Sequence, residues 1–152
     1  MKNHRPLLTI VLALLLGAVA SAHDSYAPLT ESRKLFLARY EVVRAALAVD
    51  DLAAAQKGAE AIKKNEHAEK LTKAGTISEA REAFKKLSVR AVHLVIHQDG
   101  YFIANCPMVE GGGGEWVQLT GKVNNPFFGK SMLTCGAIKP TSNAPAEEPA
   151  KK

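Results

Sequence analysis

The sequence predicts a mainly α fold: a three- or four-helix up-down bundle covered by a C-terminal lid rich in cysteine and methionine that contains a short β-hairpin or irregular segment. Three observations carry this. Apolar residues recur at helical spacing between Phe36 and Leu94, the pattern changes to short extended runs after Gly100, and both cysteines with two of the three methionines fall between Cys106 and Gly136. At 152 residues and 47% hydrophobic content, the chain has room for one globular core.

Residues 1–22 read as a secretory signal peptide. Lys2 and Arg5 form a basic start, Leu7 to Ala20 is apolar, and Ala20-Ser21-Ala22 is an A-x-A cleavage pattern. The apolar run falls short of the about 20 residues that a membrane-spanning helix needs, so the expectation is a periplasmic or secreted chain beginning at His23, with no membrane insertion after cleavage. Without Lys2 and Arg5, eighteen Lys and Arg face fifteen Asp and Glu, a net of +3. That is too mild for a nucleic-acid partner. His23 beside a new α-amine would make a Cu(II) chelate or, more simply, a frayed terminus.

After a flexible lead at 23–29, Thr30 is placed to cap a first helix with Phe36, Tyr40, Val43 and Leu47 on one face, ending near Val49. Asp50 or Asp51 then caps a second helix, carrying Leu52, Ala55, Ala59 and Ile62 and running to about Lys64. Residues 65–75 are highly charged, with Leu71 the one large apolar residue, and read as an exposed, partly helical connector. Thr76 and Glu79 form a capping box for a third helix whose Ile77, Ala80, Phe84, Leu87, Ala91 and Leu94 share a face. Val89, Val92 and Ile96 add a second apolar stripe that needs a cover. Tyr101 to Cys106 and Trp116 to Leu119 supply that cover as a hairpin around the Gly111–Gly114 loop. The helical domain with its Cys/Met motif spans 30–139. From 140 to 152, Pro, Ala, Ser, Glu and Lys without large apolar residues predict a disordered tail.

The chemistry concentrates in the lid. If Cys106 and Met108 lie in an extended strand, their sulfurs share a side, and if "MLTC" is helical, Met132 and Cys135 share another. Two thiolates and two thioethers form a soft ligand set, which selects Cu(I) or Ag(I) over hard divalent ions. The alternative is a Cys106–Cys135 disulfide, contributing about 3 to 4 kcal/mol by loop entropy, with the methionines as core fillers. His93 and His97, four apart on the third helix, are further candidate ligands, with a surface role the competing reading. No nucleophile and base pair, phosphate loop or paired catalytic carboxylate emerges, so an enzyme is not expected.

"CPM" followed by a tryptophan and then "NPFFGKSMLTCG" resembles a small periplasmic domain of uncharacterised function, found alone or fused to adaptor subunits of heavy-metal efflux pumps and linked with copper and silver handling. The resemblance covers roughly Leu35 to Ile138, including "ALAVDDLAAAQKGAEAI" and "REAFKKLS". It implies that Cys106, Met108, Met132 and Cys135 are the sulfur positions. It also implies that Asn125, Pro126, Phe127, Phe128 and Gly129 form a structural turn, with Trp116 the aromatic before it. The implied partner is an efflux adaptor or pump. Asn105 stands where many members of that family have histidine, and Gly111 to Gly114 replace a more polar loop. "CPM" is also similar to a short metal-binding motif of copper efflux proteins, which continues His-Pro where this chain has Val109-Glu110.

Overall fold

The computed structural model describes residues 27–140. The expected signal peptide, His23 and nearly all of the expected tail lie outside the described residues. Four helices, α1 (Glu31–Ala48), α2 (Leu52–Glu60), α3 (Glu66–Thr72) and α4 (Ile77–Val95), are followed by strands β1 (Phe102–Cys106) and β2 (Gly114–Gln118), a 3-10 turn (Gly129–Ser131) and a two-residue strand β3 (Ala137–Ile138). The fold class is as predicted: a helical bundle carrying a small C-terminal sheet.

Helix α1 buries Phe36, Tyr40, Val43 and Leu47 on the expected face. Its start differs in detail: the Thr30 carbonyl accepts from Arg33 and Lys34 N–H, while the hydroxyl turns to Ser32 and caps nothing. The lead before it is tied down at its end, because Leu29 is buried and the Ala27 carbonyl accepts from the Gln98 amide. Asp51, not Asp50, caps α2 by accepting from Ala54 N–H. The close approach of α2 to α1 depends on small residues, since a Cβ at Gly58 would stand 3.1 Å from the Val42 and Val43 side chains.

Helix α2 stops at Glu60, short of the expected Lys64, because Lys64 takes a left-handed φ of 54° and Asn65 starts a new helix. The charged connector is therefore not simply exposed. Asn65 Oδ1 accepts from His67 and Ala68 N–H, and Ala68 and Leu71 are fully buried. Gln56 on α2 donates to the Thr72 and Ala74 carbonyls, serving acceptors that the end of α3 leaves open.

Helix α4 begins with Thr76 accepting from Glu79 N–H, while the Glu79 carboxylate reaches back to Gly75 N–H, one residue before the reciprocal partner of a capping box. Ala80, Phe84, Leu87 and Ala91 are fully buried, as the periodicity predicts. The second stripe divides: Val92 is covered, but Val89 and Ile96 remain 53% and 45% exposed.

The sheet has the order β2-β1-β3 and is antiparallel throughout. The predicted hairpin forms, with Ala104 opposite Trp116 and Cys106 opposite Gly114. Strand β3, too short to leave a periodic trace, adds to the other side of β1, pairing Asn105 with Ala137. Strand β2 packs on α4 and also touches α1. Core and lid share one column of rings: Tyr40 stacks on Phe84 at 5.0 Å, Phe84 meets Phe127 at 5.8 Å, and Phe127 meets Trp116 edge-on at 5.9 Å. Tyr40 also ties lid to bundle through its hydroxyl, which accepts from Val117 N–H and bonds the Ser88 hydroxyl.

Candidate metal site

The sheet explains why the two cysteines meet. Cys106 ends β1, and Cys135 lies two residues before β3, which runs back along the same strand. Continuing the Asn105–Ala137 register brings the residues before β3 beside the end of β1. The passage is close enough to require glycine between: Gly136 has φ 125°, and a Cβ there would stand 2.6 Å from the Asn105 carbonyl oxygen and 3.1 Å from Trp116.

The result is a pair of free thiols with Sγ atoms 2.8 Å apart. Cys106 is fully buried in the strand ladder, whereas Cys135 is half-buried on a turn. Hydrogen bonding to the Cys106 thiol, then desolvation by burial, then repulsion from Cys106 raises the Cys135 pKa above its ordinary value of 9.0. Deprotonating both together is unfavourable unless a cation lies between them.

The aromatic turn holds the second thiol in place. Asn125 is fully buried and uses its whole side chain: Oδ1 accepts from Phe127 and Phe128 N–H, and Nδ2 donates to the Cys135 carbonyl. Its backbone N–H donates to the Leu133 carbonyl and its own carbonyl accepts from Gly129 N–H. The turn is in turn locked to the bundle. Arg81 on α4 donates to the Pro126 and Leu47 carbonyls and to the Asp50 carboxylate, which also accepts from Lys130 N–H. Arg44 on α1, paired twice with Glu41, donates to the Asn124 carbonyl. Gly129, at φ 56°, passes so near this clasp that a Cβ would stand 2.7 Å from Asp50 Cγ and nearer still to its Oδ1. Trp116 is fully buried, its indole N–H donating to Gln118 Oε1.

Two of the expected ligands are placed differently from the sequence expectation. Met108 is not in a strand: β1 ends at Cys106, Pro107 and Met108 form a turn, and Met108 is 61% exposed. It lines a shallow depression with Arg81, Glu110, Phe127 and Phe128 that includes neither cysteine. The segment "MLTC" is not helical either. The 3-10 turn ends at Ser131, Met132 is half-buried with φ −145° and ψ 55°, and Cys135 N–H closes a tight turn onto the Met132 carbonyl. The strand and helix spacings invoked for the two Cys/Met halves therefore do not operate. In sequence, Met108 follows Cys106 by two residues and Met132 precedes Cys135 by three, each in a turn.

The histidines are also corrected. The four-residue spacing needs a helix through His97, but α4 ends at Val95 and His97 takes φ 64°. His93 is exposed on α4, at the edge of the lid beside Gly113 and Glu115. Among the described residues no three His, Cys, Asp or Glu side chains are grouped to hold a metal ion. The supporting roles of Asp50, Arg44 and Arg81 leave no signal in the sequence: Asp50 reads as a cap, Arg44 as a helix-face residue and Arg81 only as the start of "REAFKKLS". The signal for Asn125 is its place at the head of the Asn125–Gly129 turn that the resemblance implies, although its bond to the Cys135 carbonyl leaves no trace in the sequence. The chain matches no family model, no curated protein and no solved structure.

Proposed function

We propose that this protein binds a soft monovalent ion, Cu(I) or Ag(I), on the Cys106–Cys135 pair and serves copper chaperoning, efflux or resistance in the periplasm or outside the cell. The reading rests on one observation above all: two free thiols 2.8 Å apart, one buried and one reaching the surface. Thiolates select soft ions, and Met132 and Met108, on turns close in sequence to the two cysteines, are the thioethers that a rearrangement of those turns would add. The sequence resemblance to copper- and silver-linked domains supports the same ion and makes an efflux adaptor or pump the partner. The N-terminal signal pattern supports export, and among the described residues no helix is long and apolar enough to cross a membrane.

The asymmetry of the pair suits metal transfer. Cys106 is held in a strand ladder, so opening the pair to admit an ion falls on Cys135 in its turn. An incoming partner thiolate bonds to the ion, the ion's bond to Cys135 breaks, and Cys135 takes up the proton that the partner thiol released. The metal keeps its oxidation state throughout.

The same proximity favours a second reading, a disulfide-stapled interaction module in which the two thiols lose two protons and two electrons to an oxidant of the exporting compartment. Thiol counting on protein trapped with an alkylating agent at extraction, followed by anaerobic Cu(I) titration against a competing chelator, separates the two. Free thiols and one copper taken up per thiol pair support the metal reading. An intact disulfide and no copper uptake after reduction end it.

A further inference from the structure

Away from the thiols, basic side chains from two parts of the bundle converge. Lys64 in the α2–α3 loop faces Lys86 and Arg90 on α4 across a shallow depression of about 500 Å³, whose walls also include His67 on α3 and His93. Lys86 and Arg90, like Val89 and His93, are four apart, and Lys86–Val89 and Arg90–His93 three apart, so the four residues share one face of α4. Glu66 is the sole carboxylate in these walls, and it lies 3.4 Å from His67 with its side chain 75% exposed.

The three cations Lys64, Lys86 and Arg90 form no ion pair among the described residues. The Lys64, Lys86 and His93 side chains have no hydrogen-bond or ion-pair partner among the described residues, and the Arg90 guanidinium rests 4.6 Å over the Phe36 ring instead of on a carboxylate. Lys86 and Arg90 stand four apart on the helix, where like charges oppose each other. Lys64 also borders the neighbouring depression, where it, Lys63 and Lys73 are accompanied by Glu60 and Glu69, so the part of the face without nearby carboxylates is the Lys86–Arg90 side. At the centre of the basic face stands Val89, 53% exposed, the part of the second apolar stripe that the lid leaves uncovered.

We propose that this face of α4 docks an acidic segment of a partner protein, whose carboxylates meet Lys64, Lys86 and Arg90 while an aliphatic side chain between them covers Val89. Charge complementarity selects the acidic partner, and the open shape with an apolar centre fits a peptide segment better than an isolated anion. The docking is independent of the thiol pair.

The test is a titration of isotope-labelled full-length protein with the capped peptide EELEE at low ionic strength, followed by amide chemical shifts. Saturable shifts centred on Lys64, His67, Lys86, Val89, Arg90 and His93 are expected. The double variant Lys64→Ala/Lys86→Ala should bind about tenfold more weakly. Its thermal unfolding should match the parent, since both side chains are exposed. The proposal is overturned by an absence of saturable shifts on this face, by equal affinity in the double variant, or by equal binding of QQLQQ. It is also overturned if EESEE binds as tightly as EELEE while inorganic phosphate reproduces the shifts, which would mark a simple anion site.

Discussion

The Asn125 side chain donates from Nδ2 to the Cys135 carbonyl oxygen across 2.8 Å, so the aromatic turn and the second thiol are joined by a single buried amide. The same amide caps the turn through Phe127 and Phe128 N–H. Cys106 is thus held by the backbone ladder of β1, whereas Cys135 depends on a side chain.

Replacing that amide tests the dependence. Asn125→Ala leaves two backbone N–H groups and one carbonyl without their partner, and should cost about 1–3 kcal/mol in urea denaturation. Asn125→Asp keeps the acceptor for the turn but sets an oxygen against the Cys135 carbonyl. It should therefore loosen the Cys135 turn selectively, seen as faster hydrogen exchange at Cys135 than at Phe127.

Gly129→Ala should be more costly than an ordinary surface change. The residue combines a left-handed backbone with overlap onto the Asp50 and Arg81 side chains. Strain and overpacking together predict a loss of about 2 to 4 kcal/mol in chemical denaturation. A loss below about 0.5 kcal/mol, the range of a neutral surface substitution, would mean that the clasp is not the restraint described.

Asp50 predicts a pH dependence. Its hydrogen bond from Arg81, then that from Lys130 N–H, holds its carboxyl below the ordinary value of 3.8. A depressed folded-state pKa contributes stability above the unfolded value, and that contribution is lost as pH falls through the folded one. Asp50→Asn should therefore lower the urea midpoint at pH 7 relative to the parent, with the gap closing as pH falls below roughly 4. The carboxylate is partly exposed, so the effect should be modest and should shrink in salt. A gap that widens in acid would contradict the assignment.

The thiols should react unequally in the reduced, metal-free protein. Cys135 is half-buried and Cys106 fully buried, so mass spectrometry after brief alkylation should find the first label on Cys135. Because Cys106 raises the Cys135 pKa, labelling should accelerate with pH beyond the ordinary thiol value of 9.0. Cys106→Ala should move that acceleration to lower pH. First labelling at Cys106 would reverse the roles of anchor and exchanging ligand.

Much of the bundle was legible from local pattern. The faces of α1 and α4 follow from side chains repeated at helical spacing, and the hairpin from two extended runs around four glycines. Helix α3 was less legible because its burial rests on Ala68 and Leu71 alone, within a highly charged stretch. The ligand geometry was not legible in the spacing, because Met108 and His97 both lie just past the end of an element, where strand and helix periods cease to apply.

By itself the sequence determined the helical faces, the hairpin and the gathering of both cysteines into one C-terminal stretch, since each depends on residues near one another in the chain. Only the tertiary structure decided that Cys106 and Cys135 meet while Met108 turns outward and His97 leaves the helix. That outcome depends on β3 pairing with β1, on Gly136 passing Trp116, and on Arg81 and Asp50 fixing the aromatic turn. These contacts join residues far apart in the chain and leave no periodic trace in it.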